Sequence, residues 1–200
     1  LRVGAAGTRK GGSCLGYEPA LRRQPVTGVS RALLKYNHLI GAARDGGKGQ
    51  VVNLNVRRRI ASVELPGLPH LGSGITWAWR GKPVFATTNL RQGVVSVVDM
   101  KTWTVVGTVP TGGPGFFLRS HEATPYAWTD SMMSKAKDTL QIIDKRTLER
   151  VAEVKVAPGK TLAHIEFTRD GKYALASLWE RKKDGGALVV FDAATFKEVK

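Results

Sequence analysis

Cysteine is almost missing from this chain: Cys14 stands alone. No disulfide can close within it, and no CxxCH site for covalent haem is present. Long apolar runs are missing as well, and nothing approaches the roughly 20 residues that a membrane-spanning helix needs. Acidic residues are scarce, 16 against 31 basic, for a net charge of +15. Such an excess attracts polyanions, among them nucleic acid, a membrane surface or a ligand with several carboxylates. The basic residues are scattered among β-rich runs without a nucleic-acid-binding module, which argues against nucleic acid. The first residue is Leu1 rather than Met. The N-terminus is therefore expected to be missing, and the lack of a visible signal peptide excludes nothing.

Glycine is plentiful, at 23 residues, many at turn-like positions, and 42% of the chain is hydrophobic. That combination favours many short elements around a packed core over a few long helices. The ordering principle is a repeat. Val97-Val98-Asp99-Met100-Lys101-Thr102-Trp103, Ile142-Ile143-Asp144-Lys145-Arg146-Thr147-Leu148 and Val190-Phe191-Asp192-Ala193-Ala194-Thr195-Phe196 share one pattern, and Val51-Val52-Asn53-Leu54-Asn55-Val56 is a weaker copy. The Asn/Asp positions 53, 99, 144 and 192 are spaced by 46, 45 and 48 residues. A period in the forties is that of a four-stranded propeller blade.

The chemistry of the repeat is coherent. A β-branched strand ends at a carboxylate or amide that can accept bonds from backbone N–H groups two residues on, which starts a tight turn. A second β-rich run follows, as in Val105–Val109 and Val151–Val156, and completes a hairpin. Upstream lies another hairpin, clearest where Asp170-Gly171 separates two strand-like runs. Arg80-Gly81-Lys82 and Ala123-Thr124-Pro125 occupy the same phase. The expected fold is all-β, a β-propeller with about four blades of an eight-bladed ring; an unrelated β-sandwich is the rival. An open half-ring would leave strand edges unpaired, so the chain is expected to be a fragment. Residues 1–47 do not scan as a blade and stay unassigned, as a degraded blade or a linker; within them Leu33–Ile40 reads as a short helix or strand. Residues 48–200 form the partial propeller.

His70, His121 and His164 each follow a Pro/Gly-containing connection that leads toward the innermost strand of the next blade. Propellers place ligands near the axis that those strands approach. Imidazole can ligate a metal or carry a proton, so three in coarse phase mark a candidate site. The bland alternative is that each is a satisfied core or turn residue. His38, the fourth histidine, falls in the unassigned region.

At these residues the chain resembles the cytochrome d1 haem domain family, which includes the cytochrome cd1 nitrite reductases and their haem d1 biosynthesis relatives. Pro69-His70-Leu71-Gly72-Ser73-Gly74 resembles the family's PHxGxG segment. Val84–Leu90 with Gly93-Val94-Val95-Ser96, Gly112-Gly113 with Phe117–His121, and Ser177-Leu178-Trp179 with Ala187–Val190 resemble later segments. The likeness covers roughly residues 48–200.

The resemblance implies an eight-bladed propeller holding haem d1, with iron, on its axis. It implies catalytic roles for His70 and His121, which would bind nitrite and supply protons as NO forms. It implies cofactor contacts from His164, Arg119 and Trp179, with Arg119 a carboxylate partner and Trp179 a pocket wall; no protein metal ligand is identified. It also implies a periplasmic location, an electron-donor cytochrome as partner, and homodimerisation of the full-length protein. Ala163-His164-Ile165-Glu166-Phe167 resembles the biosynthesis members more than the reductases. Three functions stand open: an oxidoreductase of the nitrite reductase type, a haem d1 biosynthesis or carrier protein such as a dihydro-haem d1 dehydrogenase, and a cofactor-free interaction propeller. The isolated chain is expected to be inactive, because an axial site needs blades on both sides.

Overall fold

The computed structural model describes residues 29–34, 37–43, 47–179 and 186–200. It is built almost wholly from antiparallel strands. The first sheet joins β1 (Val29–Leu34), β2 (His38–Ala43), β3 (Lys48–Asn53) and β4 (Arg58–Glu64) in sequence order. The second joins β5 (Ile75–Trp79), β6 (Lys82–Thr88), β7 (Val94–Asp99) and β8 (Val105–Pro110). The third joins β9 (Leu118–Ser120), β10 (Tyr126–Asp130), β11 (Thr139–Asp144) and β12 (Glu149–Lys155). The fourth contains β13 (Thr161–Phe167), β14 (Tyr173–Trp179) and β15 (Ala187–Asp192). The tail turns back beside β15, with the Val199 amide donating to the Val190 carbonyl at 2.7 Å.

Each sheet is a meander, and each packs face to face on the next. One apolar cluster, with Ile40, Val51, Leu71, Phe85 and Val98, fills the seam between the first and second sheets. A second, with Val84, Val97, Leu118 and Ile143, fills the next seam. A third, with Trp128, Ile142, Leu162, Ile165 and Phe191, lies between the third and fourth sheets. Burying each such Leu, Ile or Phe side chain contributes about 1.5–3 kcal/mol. The middle strands β7 and β11 are buried almost throughout, which explains their unbroken apolar runs, whereas the last strand β12 alternates between exposed and half-buried. The first strands β5, β9 and β13 abut one another in turn. Four small sheets stacked seam to seam, with their first strands drawn together, are blades of a β-propeller.

The Asn/Asp repeat has one geometry throughout. The Oδ1 atom of Asn53 accepts from the Asn55 and Val56 amides at 2.9 and 3.2 Å. Asp99 accepts from Lys101 and Thr102 at 2.7 and 3.2 Å. Asp192 accepts from Ala194 and Thr195 at 3.0 and 2.7 Å, and Asp144 from Arg146 at 2.7 Å. Four residues after each Asp the backbone enters the left-handed region, with φ of 58°, 61° and 62° at Trp103, Leu148 and Phe196. Their amides close the turn on the Asp carbonyls at 2.8–2.9 Å. A register shift precedes each of the first three turns, at Val51/Val52, Val97/Val98 and Ile142/Ile143. These bulges add twist where each blade's last hairpin closes.

Residues 1–47 do not end at a blade boundary: β1 and β2 belong to the first sheet, and the stretch around Leu33–Ile40 carries strand rather than helix. Their Ala, Gly and Ser content dilutes the β-branched signal on which strand recognition depends. Residues 1–28 of that segment, including Cys14, lie outside the described residues.

Candidate functional site

The first strands run the same way, so each blade has an entry end, where its first strand begins, and a turn end, where the Asn/Asp hairpins lie. His70 sits at the entry end of the second sheet, preceding a short 3-10 turn, Leu71–Ser73. Its Nδ1 is 2.6 Å from the Phe116 carbonyl oxygen. The Ser73 hydroxyl lies 2.9 Å from the same nitrogen and gives its own proton to the Phe116 carbonyl; a carbonyl cannot donate, so the shorter contact selects the tautomer with the proton on Nδ1. The same oxygen accepts from the Ser73 hydroxyl at 2.5 Å and the Thr88 hydroxyl at 3.1 Å. His70 Nε2 makes no hydrogen bond among the described residues, so the tautomer with the proton on Nδ1 leaves Nε2 as a lone pair. A histidine anchored through one ring nitrogen to a carbonyl is prepared to act through the other.

Aromatic rings surround this imidazole. Phe116 lies 4.2 Å from it and Phe117 6.2 Å, centroid to centroid. The His164 ring packs against Phe117 at 4.5 Å. His164 is exposed and sits on a bulge of β13, between Ala163 and Ile165, with φ of 59°. A non-glycine residue held there costs about 1–2 kcal/mol. His70 and His164 thus flank a pair of phenylalanines at the inner edge of three sheets.

Arg119 borders the patch but is committed within the protein. Its Nε donates to Glu166 Oε1 at 3.1 Å, and its NH1 donates to the Ser73 and Leu118 carbonyls at 3.2 and 3.0 Å. It therefore ties β9 to β13 and to the 3-10 turn that precedes β5. Trp179 ends β14 opposite Thr161, at the same entry end, and is 45% exposed. The structure does not bring His121 to this patch. It follows the last residue of β9, whereas Phe116 precedes the first, so about 15 Å of extended chain separates the two. There His121 Nδ1 accepts from the Ala123 amide at 3.1 Å, and its ring lies 6.4 Å from Phe167. A groove beside it is lined by Trp77, Trp79, Lys145 and Arg146, and burial pushes the Lys145 ammonium below its usual range.

Asp130, Asn89 and Asp138 went unnoticed in the sequence, and each holds an entry-end loop. Asp130 is fully buried and accepts from the Phe116, Phe117 and Met132 amides at 3.0, 2.7 and 3.0 Å. Desolvation raises its carboxyl above the ordinary range, and those three amide bonds oppose the shift. Asn89 accepts from the Leu68, Arg91 and Gln92 amides and donates to the Pro66 carbonyl. Asp138 accepts from the Gly159 amide at 2.8 Å. The pairs Thr88-Asn89 and Thr129-Asp130, each closing a second strand, were the available signal.

The sequence profile of the Cytochrome D1 heme domain matches residues 31–200. The chain belongs to the cytochrome d1 haem domain family. The chain is 49% identical over 165 residues to the dihydro-heme d1 dehydrogenase of Pseudomonas aeruginosa, covering 82% of this chain and 33% of that protein. It is 24% identical to the nitrite reductase of Stutzerimonas stutzeri, covering 78% and 33%. Among solved structures it is similar to dihydro-heme d1 dehydrogenase NirN in complex with DHE, with a TM-score of 0.80, 47% identity and coverage of 85% and 36%. Hydrazine synthase from Kuenenia stuttgartiensis shares the fold, at 17% identity and a TM-score of 0.68. The chain spans about one third of the length of the curated relatives it matches.

A flat, carboxylate-bearing tetrapyrrole fits what this d1 haem domain shows. The inner edge offers aromatic faces, one imidazole with a free nitrogen, a second exposed imidazole, and a chain of net charge +15. Among the described residues no helix is long and apolar enough to cross a membrane.

Proposed function

We propose that this chain belongs to an enzyme of haem d1 biosynthesis that oxidises dihydro-haem d1, with the patch of His70, Phe116, Phe117 and His164 as its substrate-facing surface. The similarity to dihydro-haem d1 dehydrogenase supports this over the nitrite reductase reading. The observation that carries it is His70, whose Nδ1 is held by the Phe116 carbonyl while its Nε2 makes no hydrogen bond among the described residues.

The dehydrogenation removes two electrons and two protons. Bound dihydro-haem d1 supplies the carbon–hydrogen bonds to be broken and the macrocycle that extends its conjugation. The phenylalanine faces stack on the ring system and exclude water. His70 Nε2 accepts a proton while Nδ1–H keeps its bond to the Phe116 carbonyl. His164, across Phe117, is the second proton carrier. The electrons pass to a separate one-electron acceptor, for which a cytochrome is the natural class. Trp179 extends the wall of the site, and Arg119 fixes its shape through Ser73 and Glu166. A periplasmic location goes with this reading.

The test is to supply dihydro-haem d1 and a one-electron oxidant to the protein that carries this chain. Loss of two hydrogens, followed by mass spectrometry and the visible spectrum, is expected. Tight binding without that loss would make the protein a carrier. Formation of NO from nitrite and a reductant would restore the nitrite reductase reading, which the weaker similarity supports.

A further inference from the structure

We infer that Asp130 is a positioning residue for His70, acting through the peptide that joins Phe116 to Phe117. The two residues do not touch. Asp130 Oδ2 takes the Phe117 amide at 2.7 Å while Oδ1 takes the Phe116 amide at 3.0 Å. The Phe117 N–H and the Phe116 C=O belong to one planar trans peptide, so they point in opposite directions. Anchoring the N–H on Asp130 aims the carbonyl away from it, at His70 Nδ1, Ser73 and Thr88. Gly115 permits the approach: a Cβ there would lie 2.2 Å from the Asp130 carbonyl oxygen.

The consequence is chemical. The aimed carbonyl demands a proton on Nδ1, which leaves Nε2 as the lone pair. Without Asp130 the peptide can rotate, the carbonyl no longer selects a tautomer, and His70 presents either nitrogen. A residue serving packing alone would leave the tautomer of His70 untouched. His121 is an internal reference, because its Nδ1 accepts from the Ala123 amide and its neutral ring must carry the proton on Nε2. The inference does not depend on the substrate proposed above.

The experiment is a two-bond 1H–15N spectrum of the histidine-labelled protein carrying this chain, taken where the rings are neutral. The wild type is expected to show the Nδ1–H form for His70 and the Nε2–H form for His121. In a folded Asp130→Asn variant His70 is expected to shift to a mixture, with His121 unchanged. An Nε2–H form in the wild type, or an unaltered Nδ1–H form in the folded variant, overturns the inference. Should Asp130→Asn not fold, hydrogen exchange in the wild type decides. The Phe116 and Phe117 amides and His70 Nδ1–H are then expected to open together, with protection factors within about tenfold. A His70 proton far less protected than both amides overturns the inference.

Discussion

His164 and Phe117 hold their rings 4.5 Å apart across the seam between the third and fourth sheets, and His164 does so from a left-handed backbone with φ of 59°. Strain of this kind persists where the surroundings over-determine it, and it concentrates at functional positions. If His164 is kept for its imidazole, the position should prefer glycine once the ring is gone. His164→Gly is expected to be more stable than His164→Ala by about 1 kcal/mol in denaturant titrations. An alanine variant as stable as the glycine variant would show that the left-handed backbone carries no cost.

Gly107 of β8 faces Leu148 of the next blade's turn, and a Cβ at Gly107 would lie 2.7 Å from Leu148 Cδ1. Gly107→Ala is therefore expected to destabilise by about 1–3 kcal/mol. Adding Leu148→Ala should recover part of that loss, giving a favourable coupling in a double-mutant cycle. Additive effects would separate the turn from the neighbouring blade.

The turn carboxylates are expected to make the fold sensitive to acid. Backbone amides hold Asp99, and the Gly159 amide holds Asp138, below the usual carboxylate range, and the Arg146 guanidinium with its amide does so for Asp144. A folded pKa below the unfolded one stabilises the protein above the unfolded value, about 3.9, and this stabilisation is lost as pH falls through the folded value. Asp130 works in the opposite sense, because burial raises it. Melting temperatures are expected to fall steeply in acid for the wild type. For Asp99→Asn they should be lower at neutral pH and fall less steeply. Equal acid slopes would remove Asp99 from this role.

Local chemistry is what made the fold legible. Asp99, Asp144 and Asp192 each need a carboxylate two and three residues before free amides, and that requirement is written in adjacent positions. Asp170-Gly171 advertises its hairpin in the same way. The first sheet was harder to see because β1 and β2 lack runs of β-branched residues. The site was legible only in outline. His70 and His164 stood out as histidines in phase, but that phase was counted from distant Asp positions. A drift of a few residues spans a whole inner strand, which is why His121 fell at the turn end. The contacts that define the site join Phe116 to His70 and Asp130 through backbone atoms. A carbonyl or an amide is supplied by any residue, so such contacts leave no mark in residue identity.

The tetrapyrrole is expected to lie at the entry end, against His70 and His164. A visible-spectrum titration of haem d1 into the protein carrying this chain tests this directly, with His70→Ala, His164→Ala and His121→Ala compared side by side. The expected result is an altered bound spectrum or weakened binding for the first two and a wild-type titration for His121→Ala. The opposite pattern, with His121 alone sensitive, would place the haem at the turn end and contradict the account.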